Sequence, residues 1–427
     1  MKRNLKVIVV KKPIAGRFFV GLVACLLSLS VFAEKTPAPI TLSMSDVVSL
    51  TLNNHPALQV FVEQKAVLEG RLKQAATAQR PQIGLTVEDA LGTGNYSALK
   101  STQTTLTYSW ILEHEQIKSR VSAIQSESGK LLLDQEIKAL DLSAVAARQF
   151  IEVLVKMERL TLNKLAVKQA KEVIKAIDER LAAGKSSVIE RKLAEAELLR
   201  RELAVEDSEH DIMASKYQLS ALWGQSDTDF TLTGNLLDLP PIPATRDYVK
   251  RLTENPGVQR FASAQRIAQS QIEKARIEAH PQWQFSAGLR RYEATDDFGF
   301  VAEVSIPWGS KDYNAGTVAA LQAEQAVLDS QQTALLQQLD AQLYVLLQEM
   351  KHSYHVIQTV DDHIVPTLES ALQEAREAFE KGQLSYSQWS ELRRELLGAQ
   401  SQLLDAYLSL HLQHIEIQRL TGTSLSQ

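Results

Sequence analysis

Of the 427 residues only one is cysteine, Cys25, and it falls within the first apolar run of the chain. If that run is removed, the remainder can hold neither a disulfide framework nor a thiolate metal site. Aromatic residues make up 6% of the chain, too few for an aromatic-rich globular core, while Ala, Leu, Gln, Glu and Lys dominate and point to long helices. Proline is absent from about 112 to 183, where glycine occurs only at Gly129. No second apolar stretch matches the first in length, so no further hydrophobic helix of membrane-spanning length is expected. There is no glycine-rich phosphate loop, no nucleophile elbow and no paired-histidine zinc signature. Gly92-Thr93-Gly94 alone reads as a turn. Catalysis and cofactor binding are therefore not expected.

At the N-terminus, Lys2, Arg3, Lys6, Lys11, Lys12 and Arg17 precede an apolar run from Phe18 to Phe32, and Val31-Phe32-Ala33 is a small-residue cleavage site. Residues 1–33 read as a secretory signal peptide. Leu22-Val23-Ala24-Cys25 has the shape of a lipoprotein cleavage box, but Leu26, Leu27, Leu29 and Val31 continue the apolar core beyond it. Loss of the six leader cations takes the formal charge from −5 to −11. An exported acidic protein is a poor nucleic-acid ligand.

The exported part repeats itself. Asn54-His55-Pro56-Ala57-Leu58-Gln59-Val60-Phe61 returns as Asn255-Pro256-Gly257-Val258-Gln259-Arg260-Phe261, and Arg80-Pro81-Gln82 returns as His280-Pro281-Gln282. Leu106-Thr107-Tyr108-Ser109-Trp110 matches Val304-Ser305-Ile306-Pro307-Trp308, and Ala183-Gly184 matches Lys381-Gly382. Repeats of this length define the architecture before any single motif does. The organisation that follows is a tether over 34–42, a first repeat over 43–238, a proline-rich linker over 239–244 and a second repeat over 245–427.

Each repeat changes period twice. Ile83, Leu85 and Val87 alternate with polar neighbours, as do Thr104, Leu106 and Tyr108. Trp283, Phe285, Ala287 and Leu289 alternate in the second repeat, followed by Phe298, Phe300, Ala302, Val304 and Ile306. This is one β-hairpin per repeat, with strands of about 9–11 residues, the length of a membrane-spanning β-strand. A long helix follows each hairpin, the second broken or kinked at Pro366. A shorter helix returns after each glycine turn, and Leu392, Leu396, Ala399, Leu403, Ala406 and Leu410 form a heptad seam along the last one.

Four strands cannot close a barrel, and hydrocarbon does not tolerate an open sheet edge. Three chains would supply twelve strands. Trp110, Trp283, Trp308 and Tyr108 are available as interfacial aromatics.

The doubled helix–hairpin–helix order, the Asn-x-Pro openings, Arg80-Pro81, Ile306-Pro307 and the tip glycines together resemble the outer-membrane factor family, the TolC-like trimeric channels of efflux and secretion systems. The resemblance spans about 43–424. It implies a mostly α fold with a small β part: a homotrimer forming a 12-stranded outer-membrane β-barrel on a long periplasmic α-helical barrel, set in outer-membrane lipid. It also implies a periplasmic adaptor (membrane fusion) protein and an inner-membrane RND-type pump as partners, with no nucleic acid, no cofactor and no enzymatic activity. Val87-Glu88-Asp89-Ala90-Leu91-Gly92-Thr93-Gly94 and Arg291-Tyr292-Glu293 look like the heavy-metal-cation branch, whereas Leu112-Glu113-His114-Glu115-Gln116 stands where that branch often has a glycine-basic segment. Multidrug efflux and type I protein secretion are the alternatives within the family. A periplasmic adaptor or a structural coiled-coil protein is the alternative outside it.

The resemblance places adaptor contact and the entrance constriction at the helix tips, on Arg180, Leu181, Gly184 and Ser187 in the first repeat and Phe379, Gly382, Leu384 and Ser385 in the second. It places acidic gating residues just beyond, at Glu190 and Glu391, with Gln388 departing from the acidic pattern. Glu88 and Glu303, on polar strand faces, are the lumen candidates. His352 and His355, and His411 and His414, have a spacing that can ligate a metal, but exposed or interfacial packing is the commoner fate of such pairs.

Overall fold

The structure is a computed structural model that describes residues 40–242, 250–309 and 312–423. The signal-peptide and lipoprotein readings, and most of the tether, fall outside those residues.

The first repeat opens with a three-residue strand, β1 (Ile40–Leu42), and helix α1 (Met44–Asn54). Ser43 caps α1, and Asp46 answers it from the third position, so two otherwise orphaned amides are satisfied reciprocally. The expected break at His55 is there. His55 is extended at φ −67° and ψ 125°, as a residue before proline must be, and α2 (Pro56–Ala75) begins at the ring that follows.

The first hairpin is β2 (Gln82–Glu88) and β3 (Gln103–Leu112). The strand β2 is shorter than its alternation suggests, because Asp89 turns the backbone to φ 57°. Then comes α3 (His114–Ala182), a single helix of 69 residues, about 100 Å long at 1.5 Å per residue. The return helix α4 (Val188–Ala221) leads to the short strand β4 (Phe230–Leu232), which pairs in parallel with β1. Between Leu142 and Val155, α3 is buried almost all round, and Phe150, Ile151 and Val153 pack there with Val47, Leu219, Trp223 and Phe230.

The second repeat supplies α5 (Pro256–Glu278), β5 (Trp283–Tyr292), β6 (Asp297–Ser305), α6 (Ala315–Thr359), α7 (Val365–Glu380) and α8 (Tyr386–Thr421). Asn255 caps α5, and its amide also donates to the carbonyl of Leu420 at 2.7 Å, tying the start of this repeat to its end. Pro366 does distort its helix. A five-residue π-turn, Val360–Ile364, joins α6 to α7, with the Val365 amide donating to the Val360 carbonyl. That widening accommodates a proline that lacks a donor and would clash with the carbonyl four residues back. The heptad seam of α8 is a buried face: Leu396, Ala399, Ala406, Leu410, Ile417 and Leu420 are all interior.

The two hairpins join into one antiparallel sheet of order β2-β3-β5-β6. Register carries the apolar rows straight across it: Leu85 opposes Leu106, which opposes Leu289, which opposes Phe300. The polar row Thr86, Thr105 and Arg290 lies on the other face. Leu85, Leu106, Leu289 and Phe300 are each more than half exposed, so the apolar face is uncovered. Among the described residues, the outer edges of β2 and β6 have no partner strand. Among the described residues, no helix is long and apolar enough to cross a membrane.

Candidate functional site

Both helical hairpins end in the same construction. The helix α3 stops where Gly184 takes φ 69°, and α7 stops where Gly382 takes φ 79°. In each turn the residue after glycine donates back five positions, Lys185 to Arg180 and Gln383 to Ala378, closing a Schellman motif. A side chain at either glycine would meet the steric cost of the left-handed region. Each return helix then opens with a capping box, Ser187 with Glu190 on α4 and Ser385 with Gln388 on α8. The glutamine at 388 therefore does the same local work as the glutamate at 190.

Arg180 joins the two tips. One terminal nitrogen donates to the carbonyl oxygen of Phe379, and at 3.4 Å to that of Glu380. The other donates to the Lys185 carbonyl at 2.9 Å. Its guanidinium carbon also lies 4.4 Å from the centre of the Phe379 ring. Planar, forked and permanently charged, arginine can bridge helix-end carbonyls in this way where lysine cannot. These carbonyls are the negative ends of the helix dipoles, so the cation is electrostatically favoured as well.

Behind this contact lies an apolar cluster from both hairpins. Phe379 stacks on Trp389 with ring centres 4.8 Å apart. Val173, Ile177, Ala194, Ala375 and Tyr386 pack around them, with Leu384 at the edge. The Arg393 guanidinium carbon lies over the indole, 5.9 Å from the ring centre. Burial pushes the Arg393 pKa below its ordinary value and the Tyr386 phenol above its own.

The structure thus brings together Arg180, Phe379, Leu384, Ser187, Ser385 and Glu190. Leu181 is half-buried on α3, and Gly184 and Gly382 are exposed at the two turns. Phe379 is buried within the chain at 1% exposure, so its ring is a support rather than a surface. Glu190 is held low in pKa first by a hydrogen bond from the Ser186 hydroxyl at 2.5 Å, then by the backbone amides of Ser187 and Tyr386 and by the Arg180 charge, against the opposing effect of burial. Glu391 is exposed on α8. Glu88 and Glu303 lie on the polar face of the sheet, far from the tips in sequence. Glu88 accepts from Arg290 at 2.9 Å, and Arg290 also donates to Gln103 and Thr105. Glu303 faces Ser286 at 3.5 Å.

The histidine pairs do not assemble a metal centre. Among the described residues no group of three metal-ligating side chains comes together. His411 is engaged with the Leu236 carbonyl at 2.9 Å, and His414 is pushed down in pKa by burial and then by His411.

Two long-range contacts are not readable from the sequence. Arg180 was legible only as a tip residue, since nothing local reveals a contact 199 positions away. Glu113 is the other. It is 3% exposed, pairs with Arg120 at 3.2 Å and accepts from the Gln79 amide, fixing the chain just before β2.

No protein-family model matches the chain. It is 25% identical over 397 residues to the cobalt-zinc-cadmium resistance protein CzcC of Cupriavidus metallidurans, covering 92% of each chain. Among solved structures it is similar to CusC, described as forming a transmembrane channel, with a TM-score of 0.72 at 15% identity over 89% of this chain and 92% of that one. It is also similar to the outer-membrane channel OprN, with a TM-score of 0.71 at 14% identity over 90% and 91%. The expected fold is therefore the observed one, that of the TolC-like outer-membrane channels.

Proposed function

We propose that this chain, which has the fold of outer-membrane efflux channels, is the outer-membrane component of a heavy-metal-cation efflux system. It resides in the outer membrane, with its helices in the periplasm, as a trimer whose three sheets close one barrel. The observation that carries the reading is the four-stranded sheet. Among the described residues nothing covers its apolar face and no strand pairs its two edges, an arrangement unstable in water and in lipid alike until it closes on copies of itself. Similarity to CzcC over nearly the whole chain supports heavy-metal cations as the substrate class.

The channel is passive. Energy enters from an inner-membrane RND-type pump, and a periplasmic adaptor joins the two. The exposed turn residues around Gly184 and Gly382 are the adaptor-facing surface, and the buried Phe379–Trp389 stack holds them in place. The Arg180 contact to the Phe379 and Glu380 carbonyls favours one arrangement of the two hairpins. Adaptor binding biases the equilibrium toward a second arrangement in which the tips part. On the polar strand face, Glu88, Arg290 and Glu303 line the lumen.

Deletion of the gene tests the substrate. Growth should become selectively sensitive to zinc, cobalt or cadmium and recover with the wild-type gene. Sensitivity confined to dyes, bile salts or antibiotics would overturn the cation assignment in favour of multidrug efflux.

A further inference from the structure

Set back from the tips, α3, α4 and α8 enclose a cavity of about 30 Å³. Gln169 of α3, Glu197 and Arg201 of α4, and Ser390, Arg393 and Arg394 of α8 form its polar wall. Leu165, Ala166 and Leu396 close the other side. Three guanidinium groups therefore face one carboxylate. We propose that the cavity binds a chloride ion, which ties the first helical hairpin to the second. The site lies within one chain and does not depend on the channel reading.

The carboxylate does not balance the cations around it. Glu197 is already engaged with Arg201 at 2.5 Å and with Arg200 at 3.4 Å. Neither Arg393 nor Arg394 has an ion pair or a hydrogen bond among the described residues, and Arg393 has only the Trp389 ring beneath it. Arg393 is half-buried. Burial is the largest influence on it and lowers its pKa. Arg201 acts in the same sense, while Tyr386, Glu197 and Glu172 oppose. The guanidinium nevertheless stays charged at any physiological pH. A partly dry cation with unfilled donors is unfavourable, and an anion between Arg393 and Arg394 relieves both at once.

Size selects the anion. A cavity of about 30 Å³ holds one or two particles the size of a water molecule. A halide ion is little larger than water and fits, whereas a tetrahedral oxyanion with four oxygens does not. Water fits as well but brings no charge to offset the excess of guanidinium. The Ser390 hydroxyl and the Gln169 amide add neutral donors to the same wall. Occupied, the site joins helices of both repeats, α4 and α8, across α3, at a second level behind the Arg180 contact.

Hydrogen exchange of the detergent-solubilised full-length protein tests this, with sodium chloride compared with sodium gluconate at equal ionic strength and pH. Chloride should slow exchange in the stretches of α4 and α8 that line the cavity. The slowing should saturate, reaching about tenfold when chloride is ten times its dissociation constant. The end of α8 beyond Ala406 should not respond. Arg393→Gln should remove the effect, Arg393→Lys should keep part of it, and sodium sulfate should give none. Wild-type crystals soaked in sodium bromide give a reading that needs no variant to fold, and should show an anomalous peak beside Arg393. No chloride effect in the wild type, an undiminished effect in Arg393→Gln, equal protection by sulfate, or no bromide peak in the cavity would each overturn the site.

Discussion

Arg180 at the end of one helical hairpin donates to the backbone carbonyl of Phe379 at the end of the other, and its guanidinium carbon lies 4.4 Å over that residue's ring. One side chain thus holds the two tips together through the backbone, independently of which residues decorate the second tip. Arg180→Ala removes the bridge and leaves the Phe379, Glu380 and Lys185 carbonyls without this donor, a loss of about 1.5–3 kcal/mol for hydrogen bonds to a charged donor. The tips should part more readily, and cells carrying the variant should become sensitive to vancomycin, which the intact outer membrane excludes. Arg180→Lys should restore little, because an ammonium cannot serve both carbonyls in one plane. Unchanged vancomycin resistance in both variants would show that the contact does not hold the entrance.

The two left-handed glycines give a second expectation. Gly184→Val and Gly382→Val each force a β-branched residue into φ near 70–80°. The cost is about 1–2 kcal/mol or more per site. Limited proteolysis should reveal cutting at the altered turn first, while the sheet end of the molecule stays resistant.

Acid should loosen one tip and spare the other. The folded pKa of Glu190 is depressed, chiefly by the Ser186 hydroxyl. Its stabilising contribution is therefore complete above the unfolded glutamate pKa, near 4.3, and disappears as pH falls through the lower folded value. Gln388 occupies the matching place on α8 and does not titrate. Hydrogen exchange at the start of α4 should accelerate as pH drops below about 4, with no matching change at the start of α8 beyond the intrinsic rate. Glu190→Gln should abolish the difference. Equal acceleration at both starts in the wild type would refute the assignment.

Much of this arrangement could be read in the sequence. The repeat, the four alternating strands, the tip glycines, the distortion before Pro366 and the α8 seam are all local or periodic signals, and each is where the pattern placed it, save that β2 ends early at Glu88. Ser187-Val188-Ile189-Glu190 and Ser385-Tyr386-Ser387-Gln388 were equally legible as capping boxes. What could not be read is long-range. The pairing of Ile40–Leu42 with Phe230–Leu232 joins two three-residue strands, too short for any period to show. The Arg180–Phe379 contact and the role of Glu113 depend on which helices become neighbours, and no local propensity carries that information.

Glu113 itself makes a sharp target. Glu113→Ala leaves the Gln79 amide without its acceptor and Arg120 without its carboxylate, though Arg120 keeps the Ala75 and Thr77 carbonyls, so the cost should be about 1.5–3 kcal/mol. Folding yield and trimer recovery should fall strongly. Glu113→Gln should retain part of both, because an amide oxygen can still accept from Gln79. Equal loss for both variants would assign the whole effect to the ion pair with Arg120.

A pore whose entrance is held shut at the tips can be recorded in a planar bilayer from the purified full-length protein. Wild-type protein should give discrete small conductance steps, and Arg180→Ala should give larger ones at the same protein concentration. A trimeric preparation that inserts into the bilayer yet conducts no ions in either form would mean that the chain does not form a pore.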